Sequence, residues 1–124
     1  MTPVSTPTAP AAIGPYSQAQ VHGGLVWCSG QVAIDPASGA LVEGDVQAEA
    51  RQVLENLAAV LEAAGSGMSS VLRCTVFLKD LGDFAAVNEV YAEAFGEHRP
   101  ARACVEVSRL PKDVRVEISC VAAV

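Results

Sequence analysis

A chain of 124 residues, 51% hydrophobic and 18% charged, holds enough apolar material for one globular domain and falls outside the disordered class. Eight basic against fourteen acidic residues give a net charge of −6. That balance argues against a dedicated nucleic-acid surface, which needs a basic face, and no apolar run reaches bilayer length.

The first fifteen residues, MTPVSTPTAPAAIGP, carry four prolines, no Lys or Arg and no apolar core. They do not read as a secretory signal, so the cytosol is the expected compartment. Residues 1–10 read as a loose arm leading into a single domain that spans 1–124. An apolar run between glycines, 25–29 in "GGLVWCSG", predicts a strand, and "DPASG" at 35–39 predicts a turn. From Val46 to Ala64 apolar residues recur at spacings of three and four, which predicts a helix capped by Asp45 and stopped by Gly65. "GSG" at 65–67 follows that helix, so it is a stop signal and not a dinucleotide loop.

"SVLRCTVFL" at 70–78 predicts a buried strand. Phe84, Val87, Val90, Tyr91 and Phe95 mark a second helix that ends near Gly96. Two strands, roughly 101–108 and 114–122, close the chain around "RLPKD". The order predicts an α+β fold with two helices on one face of a mixed sheet.

Alternation in the last two strands divides their side chains. Ala103, Val105 and Val107 oppose Arg102, Cys104, Glu106 and Ser108; Val114, Val116, Ile118 and Cys120 oppose Arg115, Glu117 and Ser119. With the helices on the valine faces, Arg102 and Glu117 fall together on the second face. That face is too mixed for bulk solvent, and a subunit interface with a polar pocket is expected there.

Cys28, Cys74, Cys104 and Cys120 form no C-x-x-C pair and lie in apolar stretches, so free thiols are expected. His22 and His98 lack ligand spacing, and no metal site is expected. No Lys or Arg precedes Arg51, whereas Arg99, Arg102, Arg109, Lys112 and Arg115 crowd one segment. Spacing leaves two readings open, solvated strand edges or an anion site. By the same standard Arg102 could be an ion-pair partner of Glu117, Tyr16 a core lid, and Cys104 packing rather than a nucleophile.

Five stretches, "AAIGPYSQA" (11–19), "SGQ" (29–31), "DF..VN..Y" (83–91), "PARACVEVSRLPKD" (100–113) and "VEI" (116–118), together resemble the RidA family, also called YjgF or reactive-intermediate deaminases. The resemblance implies a chorismate-mutase-like fold and a homotrimer with sites in the clefts between subunits. It implies hydrolysis of 2-enamino and 2-imino acids, such as 2-aminoacrylate and its imine tautomer, to 2-keto acids and ammonia, with no metal or organic cofactor. On this resemblance Arg102 holds the substrate carboxylate, and Glu117 positions the attacking water with the backbone carbonyl of Cys104. Tyr16, Ser29, Gly30 and Asn88 match positions that line the pocket. Arg99 departs from the family, where an aromatic residue often precedes P-A-R. The competing functions are a non-catalytic small-carboxylate-binding protein or holdase, and a ribonuclease or translation inhibitor.

Overall fold

Helix α1 (Val46–Ala63) begins where the spacing of its apolar residues begins. Asp45 caps it by accepting a hydrogen bond from the Ala48 amide, and Gly65, at φ +84°, turns the chain away after its end. In the computed structural model, which describes residues 1–124, the other elements are β1 (Thr2–Val4), β2 (Ala19–His22), β3 (Leu25–Gln31), β4 (Val71–Leu78), α2 (Phe84–Phe95), β5 (Ala101–Glu106) and β6 (Val116–Ala123). They form one six-stranded sheet in the order β1-β2-β3-β6-β4-β5, with only the β4–β5 pair parallel. The α+β expectation holds. Neither helix is long and apolar enough to cross a membrane.

Both helices lie on one face of the sheet. Val53, Leu57, Val60 and Leu61 of α1 and Val87 and Val90 of α2 join one core with Val76, Leu78, Val116 and Ile118 of the sheet. Burial of these apolar side chains is the main stabilising term. Two polar residues of α1 are buried with it and find partners, as burial requires. Asn56 donates from Nδ2 to the carbonyls of Val32 and Ile34, at 3.2 and 2.9 Å. Glu49 accepts from the Arg115 amide at 2.9 Å and pairs with its guanidinium at 2.9 Å, tying the start of β6 to α1.

The N-terminal segment differs from the expected loose arm. Thr2–Val4 adds an edge strand to β2, pairing Thr2 with Val21 and Val4 with Ala19, and Val4 and Ala9 are buried. Pro3 fits there because an edge strand tolerates a residue without an amide donor. The buried side chain of Gln18 holds the segment that follows. Its Oε1 accepts from the Thr6 amide at 2.7 Å, and its Nε2 donates to the Pro10 carbonyl at 2.7 Å.

The second correction concerns β5. Beyond β4 at the sheet edge, it takes its phase from β4, where Cys74 stands opposite Arg102 and Val76 opposite Cys104. Cys74 and Val76 are core residues, and they pair in turn with Cys120 and Ile118 of β6. Residues opposite one another in a sheet share a face. Arg102 and Cys104 therefore point to the helix side, and Ala103 and Val105 point away. Glu117, opposite Phe77, lies on the outer face. Arg102 and Glu117 are on opposite sides of the sheet, not together.

No helix covers the outer face. Trp27, opposite Val121, is 54% exposed, and Val105 is 42% exposed. An apolar strand face left open to this extent is a surface that a partner would cover.

Candidate active site

Arg102 sits one residue into the edge strand, and one stripe of α2 receives it. Phe84, Asn88 and Tyr91 are spaced four and three apart, so they share a helix face. Arg102 Nη1 donates to Asn88 Oδ1 at 2.7 Å, and its guanidinium carbon lies 4.9 Å from the Tyr91 ring centroid and 5.5 Å from that of Phe84. Two aromatic rings and an amide thus fix the plane of the cation. No carboxylate pairs with it: the salt bridges are Arg109–Asp113 and Arg115–Glu49. An arginine held flat with most of its five donors free is built to take a planar anion. The ion pair with Glu117 that spacing left open is absent.

Cys104, two residues along the same face, is half-buried. Burial pushes its thiol pKa up and the nearby Arg102 charge only partly opposes this, so the sulfur stays protonated and is a poor nucleophile. All four cysteines are free. Cys28, Cys120 and Cys74 form a cross-strand row on the core face that leads to Arg102.

Glu117 stands on the other side of the sheet. It has no cationic partner, and burial alone raises its pKa above the ordinary carboxylate value. Its neighbour is Gly30, which lies in an irregularity of the β3–β6 pairing between Cys28 and Gln31. A Cβ built on Gly30 would lie 2.5 Å from Glu117 Oε2, so only glycine leaves the carboxylate its place. Ser29 is held on the adjoining segment: its Oγ donates to the Ser17 carbonyl at 2.6 Å and its amide to the Gln18 carbonyl at 3.0 Å. Tyr16 lies just after Gly14, whose φ is +129°, and the residue is 54% exposed. It is no core lid. With Gly30, Gln31 and Lys112 it lines a pocket of about 300 Å³.

The residues singled out in the sequence thus form two groups. Arg102, Asn88 and Cys104 gather on the helix side at the β5 edge, while Glu117 and Gly30 meet on the outer face, with Tyr16 beside Gly30. The platform of Phe84 and Tyr91 has no site role in the sequence reading, where the two rings mark a helix and belong to the "DF..VN..Y" stretch; their spacing around Asn88 is the signal for it.

The Endoribonuclease L-PSP family matches residues 6–124. A RutC family protein of Pyrococcus horikoshii is 56% identical over 96% of this chain and 94% of its own length. A 2-iminobutanoate/2-iminopropanoate deaminase of Salmonella typhimurium is 53% identical over 96% of this chain and 94% of its own. The crystal structure of RidA from the Antarctic bacterium Psychrobacter sp. superposes with a TM-score of 0.96 at 44% identity, covering 100% of both chains. The match across nearly the whole chain agrees with the motifs, and the chain belongs to the Endoribonuclease L-PSP family, the RidA or YjgF family that its sequence resembles.

Proposed function

We propose that this chain is a hydrolytic deaminase that converts reactive 2-enamino and 2-imino acids to 2-keto acids and ammonia. It works in the cytosol as a homotrimer whose sites pair Arg102 of one subunit with Glu117 of the next. The observation that carries this reading is the placement of Arg102 and Glu117 on opposite faces of one sheet, each unpaired. A site containing both needs a second copy of the chain, and the uncovered outer face around Trp27 and Val105 supplies a surface for it. The name of the Salmonella relative supports the reaction class. Four free thiols fit a reducing compartment.

The chemistry follows from the two groups. Arg102 takes the substrate carboxylate through two parallel hydrogen bonds and so fixes the adjoining C=N carbon. Glu117, in its carboxylate form, removes a proton as water adds to that carbon. The imine nitrogen enters protonated, so this addition gives a neutral carbinolamine. The protonated Glu117 passes its proton to that nitrogen, and as the C–N bond breaks and the C=O bond forms, ammonia leaves and the hydroxyl proton goes to the Glu117 carboxylate. An enamine first takes a proton on its β-carbon and enters as the imine. The site environment requires no thiolate, since Cys104 contributes a wall and a backbone carbonyl.

The family description keeps a ribonuclease reading in view. Tracking a phosphate backbone calls for a basic groove, whereas here Arg109 and Arg115 are neutralised by Asp113 and Glu49. The deciding experiment generates imino acids in situ with an amino-acid oxidase and catalase, then follows their disappearance with wild-type protein and Arg102→Ala. Hydrolysis above the spontaneous rate that falls in the variant supports the deaminase. Loss of RNA cleavage in Arg102→Ala, with no effect on imines, supports the nuclease.

A further inference from the structure

Arg102 is not the only free cation in its cleft. Between the second half of α2, the turn after it and the start of β5 lies an open cleft of about 460 Å³, and Arg99 lines it together with Arg102, His98, Asn88 and Tyr91. In a regular strand two residues three apart would point to opposite faces. Arg99 escapes that rule because it lies in the turn before Pro100, ahead of the first residue of β5. Its Nη1 donates to the carbonyls of Gly96 and His98 at the C-terminal end of α2. No carboxylate meets it. His98 is a fixed wall, with Nε2 donating to the Val71 carbonyl at 2.6 Å.

No acidic residue lines the cleft, although the chain carries fourteen of them and a net charge of −6. Within one subunit, two guanidiniums with free donors and no counter-charge therefore face one space. One of them suffices for the carboxylate next to the reacting carbon. The volume lies in the range of sites that hold ligands larger than a three-carbon acid, and a second cation in it is matched by a second anion.

Resting on the deaminase reading, we propose that Arg99 is a specificity-determining residue that binds a side-chain carboxylate, and that the favoured substrates are acidic 2-imino acids, the 2-imino dicarboxylates. The reacting carbon stays with Arg102, and Arg99 meets the far end of the molecule. A neutral imino acid fills the same cleft and leaves Arg99 in water.

The test compares 2-iminoglutarate, made by L-glutamate oxidase, with 2-iminopentanoate, made from norvaline by an L-amino-acid oxidase, both with catalase present. Wild-type protein is expected to favour the dicarboxylate in kcat/KM. The ratio falls roughly 10-fold in Arg99→Gln, the loss of one partly exposed charge-assisted contact, and Arg99→Lys restores most of it. A ratio that Arg99→Gln leaves unchanged overturns the proposal. Calorimetry with the stable products supplies a readout free of turnover and of folding changes in the variants. Wild-type protein that binds 2-oxoglutarate no more tightly than 2-oxopentanoate also overturns it. If neither imine is hydrolysed, yet 2-oxoglutarate binding depends on Arg99, the deaminase reading fails and the dicarboxylate site stands.

Discussion

Glu117 carries its carboxylate into a half-buried position with no cation beside it, so burial holds its proton more tightly than in a free glutamate. Between the ordinary value, about 4.3, and the raised one, the folded state binds more protons than the unfolded. Its contribution to stability is therefore full below the ordinary value and is lost as pH rises through the raised one. Glu117→Gln is expected to raise the urea midpoint at pH 7.5, with the gain vanishing near pH 4, while turnover falls on the order of 100-fold. A residue kept for structure would move both quantities down. The same titration sets the acid limb of the wild-type kcat/KM profile, which is expected to be absent in Glu117→Gln. Gly30→Ala tests the seat of this carboxylate from the other side. The added methyl occupies the space of Oε2, so the carboxylate swings away, and a drop of about 10- to 100-fold in kcat/KM is expected from misplacement alone. Circular dichroism that matches wild type would separate this from unfolding.

The two helices and the central strands were legible because each carries its own period. α1 shows spacings of three and four between a capping aspartate and a glycine, and β6 alternates Val116, Ile118 and Cys120 against Glu117 and Ser119. β1 was not legible, since three residues including a proline have no period. What keeps Thr2–Val4 in place lies elsewhere, in the pairing with β2 and in the latch of Gln18 on Thr6 and Pro10. Gln18→Ala removes that latch and is expected to cost about 2–4 kcal/mol, the scale of several buried hydrogen bonds to one side chain. Hydrogen exchange at the Thr6 amide, faster in the variant, would locate the loss. β5 shows a different limit. Alternation tells which side chains share a face, but which face turns inward is decided by the partner strand, and parallel pairing with β4 reversed the expected orientation. The candidate residues themselves came from motif likeness. Their division between two sides of the sheet could only come from register.

A site divided in this way has a signature in mixed assemblies. In the proposed homotrimer, Arg102→Ala and Glu117→Gln subunits are each expected to be inactive alone, because every site would lack one group. Denatured together in equal amounts and refolded, they are expected to recover roughly one quarter of wild-type activity, the share of interfaces in a closed ring that join an intact arginine to an intact glutamate. Co-refolding that yields no activity, with mixed trimers present by native mass spectrometry, would place both groups in one subunit's site. The bare outer face around Trp27 and Val105 also has a kinetic meaning. On the proposed shared site, a subunit that has folded but not yet met its copies would hold both groups and use neither, so the appearance of activity after synthesis would follow mass action among subunits and not the folding of any one of them. At low abundance the rate of that encounter, steeper than first order in chain concentration, would then become the step that decides when the chemistry starts.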